Sequence, residues 1–371
     1  MIRILFVDDE PNILSGLRRM LHGMRNEWEM DFADSGAAAL DLLSRKPVDV
    51  LVTDMRMPEM DGAMFLERAV PLYPETIRLI LSGEADTQAT SRVVRLSHQF
   101  LPKPCNLEQL IDTVRRTTEL ADKIPIRECR TAVTKLGALP TPTVVADSLR
   151  QALDTPAVSL DRIAEIFAKD VGLAAKILQL ANTAYFGIGQ GVFSPARAVE
   201  IMGLETIEPL IKDHDFAKPL EGLPGEAAYL EIWSRSIDAS EGAAADACAV
   251  GCVDDDIAIA GTAALLKDVG RLILCLEWPE DYTDMLAEAA RDGTDLARAE
   301  ERRFGVLSAA MSAFLAGLWG LPEEITAALS ASATDDQGAA EPDRGPERHV
   351  SEASSMMDSA SVGLDSWSDM T

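Results

Sequence analysis

Apolar runs and helical patterns alternate regularly over residues 1–122. Five short runs rich in Ile, Leu, Val and Phe predict β-strands at residues 2–7, 29–33, 48–53, 76–82 and 98–101. The third run is almost continuously apolar, which is typical of a strand buried on both faces of a parallel sheet. Apolar residues at helical spacing predict helices that begin after Pro11, Ser35, Asp61, Glu84 and Asn106. This alternation favours a doubly wound α/β fold with a five-stranded parallel sheet.

The rest of the ordered chain is predicted to be helical. From residue 139 to residue 332, apolar residues recur at spacings of three and four, as in Ile163, Ile166 and Phe167. Clusters of Pro, Gly and Asp separate these stretches, which indicates an all-α domain. Residues 123–138 form the predicted linker, with a short helix near 127–136, and are too apolar for a free tether. Residues 333–371 are acidic with few large apolar side chains, so we expect a disordered acidic tail.

The composition narrows the choice of partners and compartment. The 371 residues include 61 acidic and 34 basic side chains, a formal net charge of −27. This charge repels phosphate backbones and anionic lipids, which argues against nucleic acid and membrane partners, although acidity can also serve solubility alone. The sequence MIRILFVDDE turns acidic too early for a secretion signal, and no apolar run approaches the roughly 20 residues of a membrane span. Five scattered cysteines argue against a disulfide framework, so we expect a cytoplasmic protein.

Polar side chains mark the ends of the predicted strands. Asp8 and Asp9 follow the first strand, Asp54 the third, Ser82 ends the fourth, and Lys103 follows the fifth. The carboxyl ends of parallel strands meet at one edge of a sheet, where ligands bind. Three adjacent carboxylates need a cation, and oxygen ligands favour Mg²⁺. With a hydroxyl and an ammonium group nearby, the pocket suits transfer of a phosphoryl group to a carboxylate.

The motifs VDDE, TDMRMPEMDG, LSG and LPKP occur in this order and resemble those of a response-regulator receiver domain, which has a flavodoxin-like fold. The resemblance implies that Asp54 is the phosphoacceptor. It also implies that Asp9, Asp54 and the backbone carbonyl of Arg56 bind Mg²⁺, while Asp8 binds it through water.

The same resemblance assigns a second group of residues to the phosphoryl group and its signal. Ser82 and Lys103 would hold the phosphoryl group, and Phe100 would be the aromatic switch residue. The Lys103–Pro104 peptide bond is expected to be cis, which only an X-Pro bond adopts readily. Ser82 and Phe100 stand where threonine and tyrosine are commoner in the family.

The second half resembles the HDOD output domain, a relative of the HD metal-dependent phosphohydrolases. The resemblance lies in LPTPTVV, DVGLAAKILQLANTAYFG, FSPARAVEIMGLETI, LLKDVGRLIL and WGLPEEI. For Asn182, Tyr185 and Phe186 within it, core packing and a helix C-terminus are favoured over a ligand site.

The metal ligands of a catalytic HD site are missing from this half. Where the family motif has its His-Asp pair, the chain has Lys267-Asp268, and Arg235 and Ser308 stand where other family histidines are expected. Cationic Lys and Arg do not bind metal, so no metal cofactor and no catalysis are expected here. We hypothesise that Lys267 pairs with Asp268 in place of the metal. His214, next to an aspartate but outside the motif, is predicted to be a surface or interface residue.

These features predict a two-component response regulator. A sensor histidine kinase would phosphorylate Asp54, and the helical half would signal through contacts with an unidentified downstream protein; a homodimer is left open. The alternative is a receiver-regulated metal-dependent phosphohydrolase or cyclic-dinucleotide phosphodiesterase. A DNA-binding regulator is disfavoured by the charge of −27 and by the lack of a basic recognition helix.

Overall fold

The computed structural model describes residues 1–83, 96–155, 158–183, 191–212 and 218–335, with the backbone alone for Ser82, Lys212 and residues 333–335. Several sequence predictions fall outside this set. They are the helix beginning after Glu84, the positions of Tyr185 and Phe186, the surface position of His214, and the acidic tail beyond residue 335.

The first half contains a five-stranded parallel sheet, as the alternating pattern predicts. Its strand order is β2-β1-β3-β4-β5, and every neighbouring pair is parallel. The strands are β1 Ile2–Val7, β2 Trp28–Ala33, β3 Val50–Asp54, β4 Ile77–Ser82 and β5 Gln99–Pro102. The helices described in this half are α1 Pro11–Met20, α2 Gly36–Arg45, α3 Gly62–Ala69 and α4 Leu107–Asp122, with a 3-10 helix at Leu21–Asn26. Every residue of β3 is buried, which explains its unbroken apolar pattern.

Local chemistry fixes where the helices near the strand ends begin. Asp61 accepts a hydrogen bond from the Met64 N–H at 2.7 Å and so caps α3. Asn106 caps α4 in the same way, as its sequence position predicts. Gly62 lies so close to β3 that an added Cβ would sit 2.4 Å from the Asp54 carbonyl oxygen. Only glycine therefore allows α3 to start directly against the end of β3.

The second half is helical throughout its described part. Its helices are α5 Arg127–Thr134, α6 Thr143–Asp154, α7 Leu160–Ala168, α8 Val171–Ala181, α9 Pro195–Met202, α10 Leu204–Lys212, α11 Glu226–Ala249, α12 Asp254–Leu266, α13 Val269–Glu277, α14 Pro279–Asp292, α15 Leu296–Phe304, α16 Ser308–Leu318 and α17 Glu323–Asp335. Helices α8 and α16 are buried over their whole length and form the centre of this half. None of the helices in the described ranges is long and apolar enough to cross a bilayer.

Asp170 joins three parts of the helical half from a fully buried position. Its carboxylate caps α8 by accepting from the Leu173 N–H at 2.7 Å, and it accepts from Trp233 Nε1 at 2.8 Å and from the Thr141 hydroxyl at 3.1 Å. The Tyr229 hydroxyl donates to the adjacent Pro140 carbonyl at 2.7 Å. The LPTP motif is thus a structural element that closes against α8 and α11.

The segment between the two halves is packed. Helix α5 lies within it, and Ile124, Cys129 and Val133 are buried. One continuous hydrophobic core includes the sheet, this segment and the helices that follow. The domain boundaries at residues 122, 138 and 332 stay predictions; α4 ends at Asp122, and α17 continues to Asp335.

Candidate functional site

Three carboxylates meet at the C-terminal edge of the sheet. The structure brings one oxygen each from Asp8, Asp9 and Asp54 within 4.8 Å of one another. They converge because β1 and β3 pair in parallel with Val7 opposite Thr53, so both strands end at the same level. Asp8 and Asp54 are buried, and Asp9 is half-buried.

Backbone groups hold the two buried carboxylates in position. The Glu10 N–H donates to Asp8 Oδ1 at 2.9 Å, and the Met55 N–H donates to Asp54 Oδ1 at 2.7 Å. The Arg56 N–H also donates to the Asp54 carboxylate. These bonds orient both carboxylates toward the same space.

Lys103 brings a positive charge between the acids. Its Nζ lies 2.8 Å from Asp8 Oδ2 and 2.8 Å from Asp54 Oδ1. Burial by itself lowers the pKa of Lys103, but its hydrogen bonds to Asp54 and Asp8 outweigh burial and raise the pKa above the ordinary value. Burial raises the pKa of Asp54, and Lys103 offsets only part of that effect. The Lys103–Pro104 bond is cis, as predicted.

The residues present fit a divalent cation. Three carboxylates face one ammonium group, which leaves the pocket anionic, and clustered carboxylate oxygens are the ligands that Mg²⁺ prefers. Among the described residues, this is the one group of three metal-ligating side chains close enough to share an ion. The assignment of the Arg56 carbonyl as a further ligand stays a prediction.

Ser82 lies on β4, next to β3, and Phe100 lies on β5, one strand further out. Phe100 is buried in β5 opposite Ile80, and the backbone of Ser82 ends β4 opposite Pro102. The side chain of Ser82 is outside the described set. The structure therefore places Asp8, Asp9, Asp54 and Lys103 together, with the other two positions at neighbouring strand ends; their roles stay predictions.

A second cluster of charges surrounds Asp268 in the helical half, at the residues predicted to form a degenerate HD site. Asp268 lies 2.7 Å from Arg271 Nη1 and 3.4 Å from Arg235 Nη2. Arg271 Nε also lies 2.7 Å from Glu300 Oε1, and the Ser308 hydroxyl donates to Glu300 Oε2 at 2.6 Å. The guanidinium of Arg271 thus bridges the carboxylates of Asp268 and Glu300.

The charge of Asp268 is balanced mainly by arginine. Burial tends to raise its pKa, but Arg271, then Arg235, then Lys267 lower it, and the net pKa lies below the ordinary value. Lys267 lowers the pKa of Asp268 less than either arginine does, and its pairing with Asp268 stays a hypothesis. Sequence reasoning missed Arg271 and Glu300; Arg271 lies one helical turn after Asp268, whereas Glu300 has no local signal because it comes from α15.

The sheet with its acidic edge, followed by an all-helical half, defines the class of response regulators. A family model described as "Response regulator receiver domain" matches residues 4–115. A second model, described as "HDOD domain", matches residues 139–334, and this match alone covers more than half of the chain. The chain belongs to the HDOD family, as a response regulator with an N-terminal receiver domain.

Relatives with curated descriptions match the receiver part. The hydrogenase transcriptional regulatory protein HoxA of Cupriavidus necator is 36% identical over 118 residues, 31% of this chain and 24% of that protein. The response regulator MprA of Mycobacterium leprae is 32% identical over 117 residues, 31% of this chain and 50% of that protein. The chain thus spans between a quarter and a half of the length of these relatives.

A solved structure of a response regulator is similar to this chain. The MmoQ response regulator of Methylococcus capsulatus is 25% identical, with a TM-score of 0.50, over 60% of this chain and 86% of that one.

Proposed function

We propose that the chain is a two-component response regulator whose Asp54 receives a phosphoryl group from a sensor histidine kinase in a Mg²⁺-dependent reaction. The helical half then signals through protein contacts without catalysis of its own. The observation that supports this proposal is the contact of Lys103 Nζ with both Asp8 and Asp54, beside the half-buried Asp9.

The geometry suits an in-line phosphoryl transfer. A carboxylate oxygen of Asp54 attacks the phosphorus, an O–P bond forms, and the bond to the donor breaks with its electron pair leaving on the donor. The ammonium of Lys103 neutralises charge on the transferred oxygens, and the N–H of Met55 fixes the nucleophile. When bound by Asp8, Asp9 and Asp54, Mg²⁺ supplies further positive charge for the same oxygens.

The test is incubation of the full chain with Mg²⁺ and acetyl phosphate, followed by intact-mass and peptide mass spectrometry. We expect one phosphoryl group per chain on Asp54, and none in Asp54→Asn. Asp41→Asn is the matched control, because Asp41 is an exposed carboxylate on α2 that should not affect incorporation. Undiminished incorporation in Asp54→Asn would contradict the proposal.

For the helical half, the contacts of Arg271 support a non-catalytic role over the phosphohydrolase alternative. Its guanidinium lies 2.7 Å from both Asp268 and Glu300, and cationic guanidinium excludes a divalent ion from the same position. A full chain carrying Asp8→Ala, Asp9→Ala and Asp54→Ala lacks the receiver site. Equilibrium dialysis of this variant against Mn²⁺ should show no bound metal, and one ion per chain would favour the enzyme alternative.

The remaining parts of the proposal follow from charge and architecture. A receiver needs a phosphodonor, and the sensor kinase CckA of Brucella abortus is 34% identical to this chain over 122 residues. The charge of −27 supports protein partners over nucleic acid or membrane lipid, and a cytoplasmic location is proposed with them. The downstream protein and a homodimer are left to pull-down and sedimentation experiments.

A further inference from the structure

Gln99 of strand β5, which also contains Phe100, and His98 just before the strand are hydrogen-bonded to two helices of the HDOD half. Gln179 Nε2 in α8 donates to the carbonyl of His98 at 2.9 Å, and Gln99 Nε2 donates to the carbonyl of Gly317 in α16 at 2.8 Å. Both receiver positions lie within two residues of Phe100. The receiver is therefore joined to α8 and α16 by two side-chain hydrogen bonds close to Phe100.

The C-terminal turn of α16 lies directly against the receiver. A Cβ at Gly317 would sit 2.3 Å from Leu120 Cδ1 of α4, and a Cβ at Gly320 would sit 3.0 Å from Gln99 Oε1. Arg116 of α4 donates to the Leu321 carbonyl at 2.9 Å, in the segment that leads into α17. The close approach leaves little space in which β5 could shift without moving this turn.

Gln179 carries a buried amide that is only partly satisfied. Its side chain is 2% exposed, and among the described residues its Oε1 has no hydrogen-bond partner. A buried polar atom without a partner lowers stability, so an apolar side chain would be the more stable choice here. The hydrogen bond that the Gln179 amide does make is the one from Nε2 to the His98 carbonyl.

A separate set of contacts joins the receiver to helix α5, in the segment that leads to the HDOD half. Arg78 Nη2 and His98 Nε2 lie 2.7 Å and 2.8 Å from the Thr134 carbonyl at the C-terminus of α5. Arg78 is 3% exposed, and separation of the segment would leave its guanidinium without this acceptor. A signal is therefore expected to pass while the halves stay docked.

We propose that Gln99 and Gln179 couple Asp54 to the HDOD half. Phosphorylation repositions Phe100 and β5, and the two amides transmit the displacement to the C-terminal turn of α16 and to the start of α17. This inference depends on the proposed function, since it needs a phosphoryl group on Asp54.

The experiment is hydrogen–deuterium exchange of the full chain with Mg²⁺, with and without beryllium fluoride as the phosphoryl mimic. In the unmodified chain we expect exchange in residues 308–329 to change when the mimic is added. In Gln99→Met, Gln179→Met and the double variant, this difference should shrink and then vanish, while phosphoryl incorporation from acetyl phosphate stays unchanged. If the two glutamines had only a structural role, their substitution would alter exchange equally with and without the mimic.

Gln151→Met is the matched control, because Gln151 is exposed on α6 and should leave the difference intact. A full exchange difference in the double variant would overturn the coupling role. So would an unmodified chain that is phosphorylated on Asp54 yet unchanged over residues 308–329; the proposed function would survive that result. Absence of phosphorylation would overturn both. Gln179→Met removes an unpartnered oxygen and should fold, so its single-variant result stands even where the double variant is unstable.

Discussion

Lys103 contacts two buried carboxylates, and this double contact predicts opposite effects on metal binding and on chemistry. Lys103→Met removes a positive charge beside Asp8, Asp9 and Asp54. Mg²⁺ should then bind more tightly, because the ammonium no longer repels it, while phosphorylation slows by roughly two orders of magnitude for loss of one charge-stabilising group. Isothermal titration with Mg²⁺ and the rate of incorporation from acetyl phosphate measure the two effects.

Lys46→Met is the control for this prediction, since Lys46 forms a solvent-exposed ion pair with Glu29 in the same half. Both measurements should be unaffected there. A Lys103→Met chain with weaker Mg²⁺ binding and an ordinary phosphorylation rate would contradict the assigned role of the ammonium.

Arg271 is the residue on which the ion-pair cluster of the HDOD half depends. It bridges the half-buried Asp268 and the fully buried Glu300, so Arg271→Met leaves both carboxylates without their main cation. We expect the free energy of unfolding to fall by about 3–5 kcal/mol, the usual cost of breaking a buried pair from one side. Urea denaturation measures this loss.

The double variant Arg271→Met/Glu300→Gln should recover part of that loss, because one of the uncompensated charges is removed. Arg298→Met, an exposed arginine on α15, serves as the control and should change stability by less than about 0.5 kcal/mol. A loss as small in Arg271→Met as in the control would show that the cluster contributes little to stability.

These two sites differ in how far the sequence could predict them. The receiver pocket draws its groups from the ends of β1, β3 and β5, and strand ends are visible in the apolar pattern. Asp8, Asp9, Asp54 and Lys103 could therefore be brought together without coordinates. The other cluster draws Glu300 from a helix more than 30 positions beyond Lys267 and Asp268. Helix packing decides that contact, and no local pattern indicates it.

At the scale of elements, the start of helix α8 depends on a carboxylate in an apolar environment. Burial raises the pKa of Asp170 from 3.8 to about 6, although hydrogen bonds from Leu173, Trp233 and Thr141 oppose the rise. A raised carboxyl pKa means that the native state binds this proton more tightly than the unfolded state does. The contribution of Asp170 to the free energy of unfolding therefore favours the native state at low pH. This contribution weakens as the pH rises from about 4 to 6 and is lost above about 6.

The comparison of the unmodified chain with Asp170→Asn isolates this effect. Between pH 7 and pH 5, the unmodified chain should gain about 1 kcal/mol of unfolding free energy relative to the variant, from the portion of the titration in that range. Urea denaturation at pH 5, 6, 7 and 8 gives the difference. A flat difference across the series would show that Asp170 titrates normally.

The bounds of the strands agree closely with the sequence predictions, but the sequence did not predict how the elements pack against one another. Each strand begins and ends within two residues of its prediction, because period and burial are local properties. The C-terminal turn of α16 packs closely against α4 at Gly317 and against β5 at Gly320, because neither residue carries a side chain. The sequence of an apolar or glycine-containing helix end does not indicate which element packs against it. The packing of this turn against the receiver could therefore be found only from the coordinates.

At the scale of the whole molecule, a hydrophobic core that spans both halves of the described chain predicts one unfolding transition. The core runs through the sheet, the segment around α5 and the helices without interruption, and the buried Arg78 joins β4 to Thr134 of α5. Beryllium fluoride with Mg²⁺ binds the native receiver pocket and should add about 2.7 kcal/mol at 100 times its Kd. Calorimetry should show the entire transition moving upward by a few degrees, since the HDOD half cannot unfold first.

Arg78→Met tests whether the buried bridge is what makes the two halves cooperative. It leaves the carbonyls of Thr134 and Thr76 without their guanidinium donor, so the transition should broaden or divide, and only its receiver part should respond to the phosphoryl mimic. Arg19→Met, an exposed arginine on α1, should retain the single transition. If the unmodified chain showed two transitions and the mimic shifted only one of them, the two halves would unfold independently. The signal would then not require the halves to stay docked.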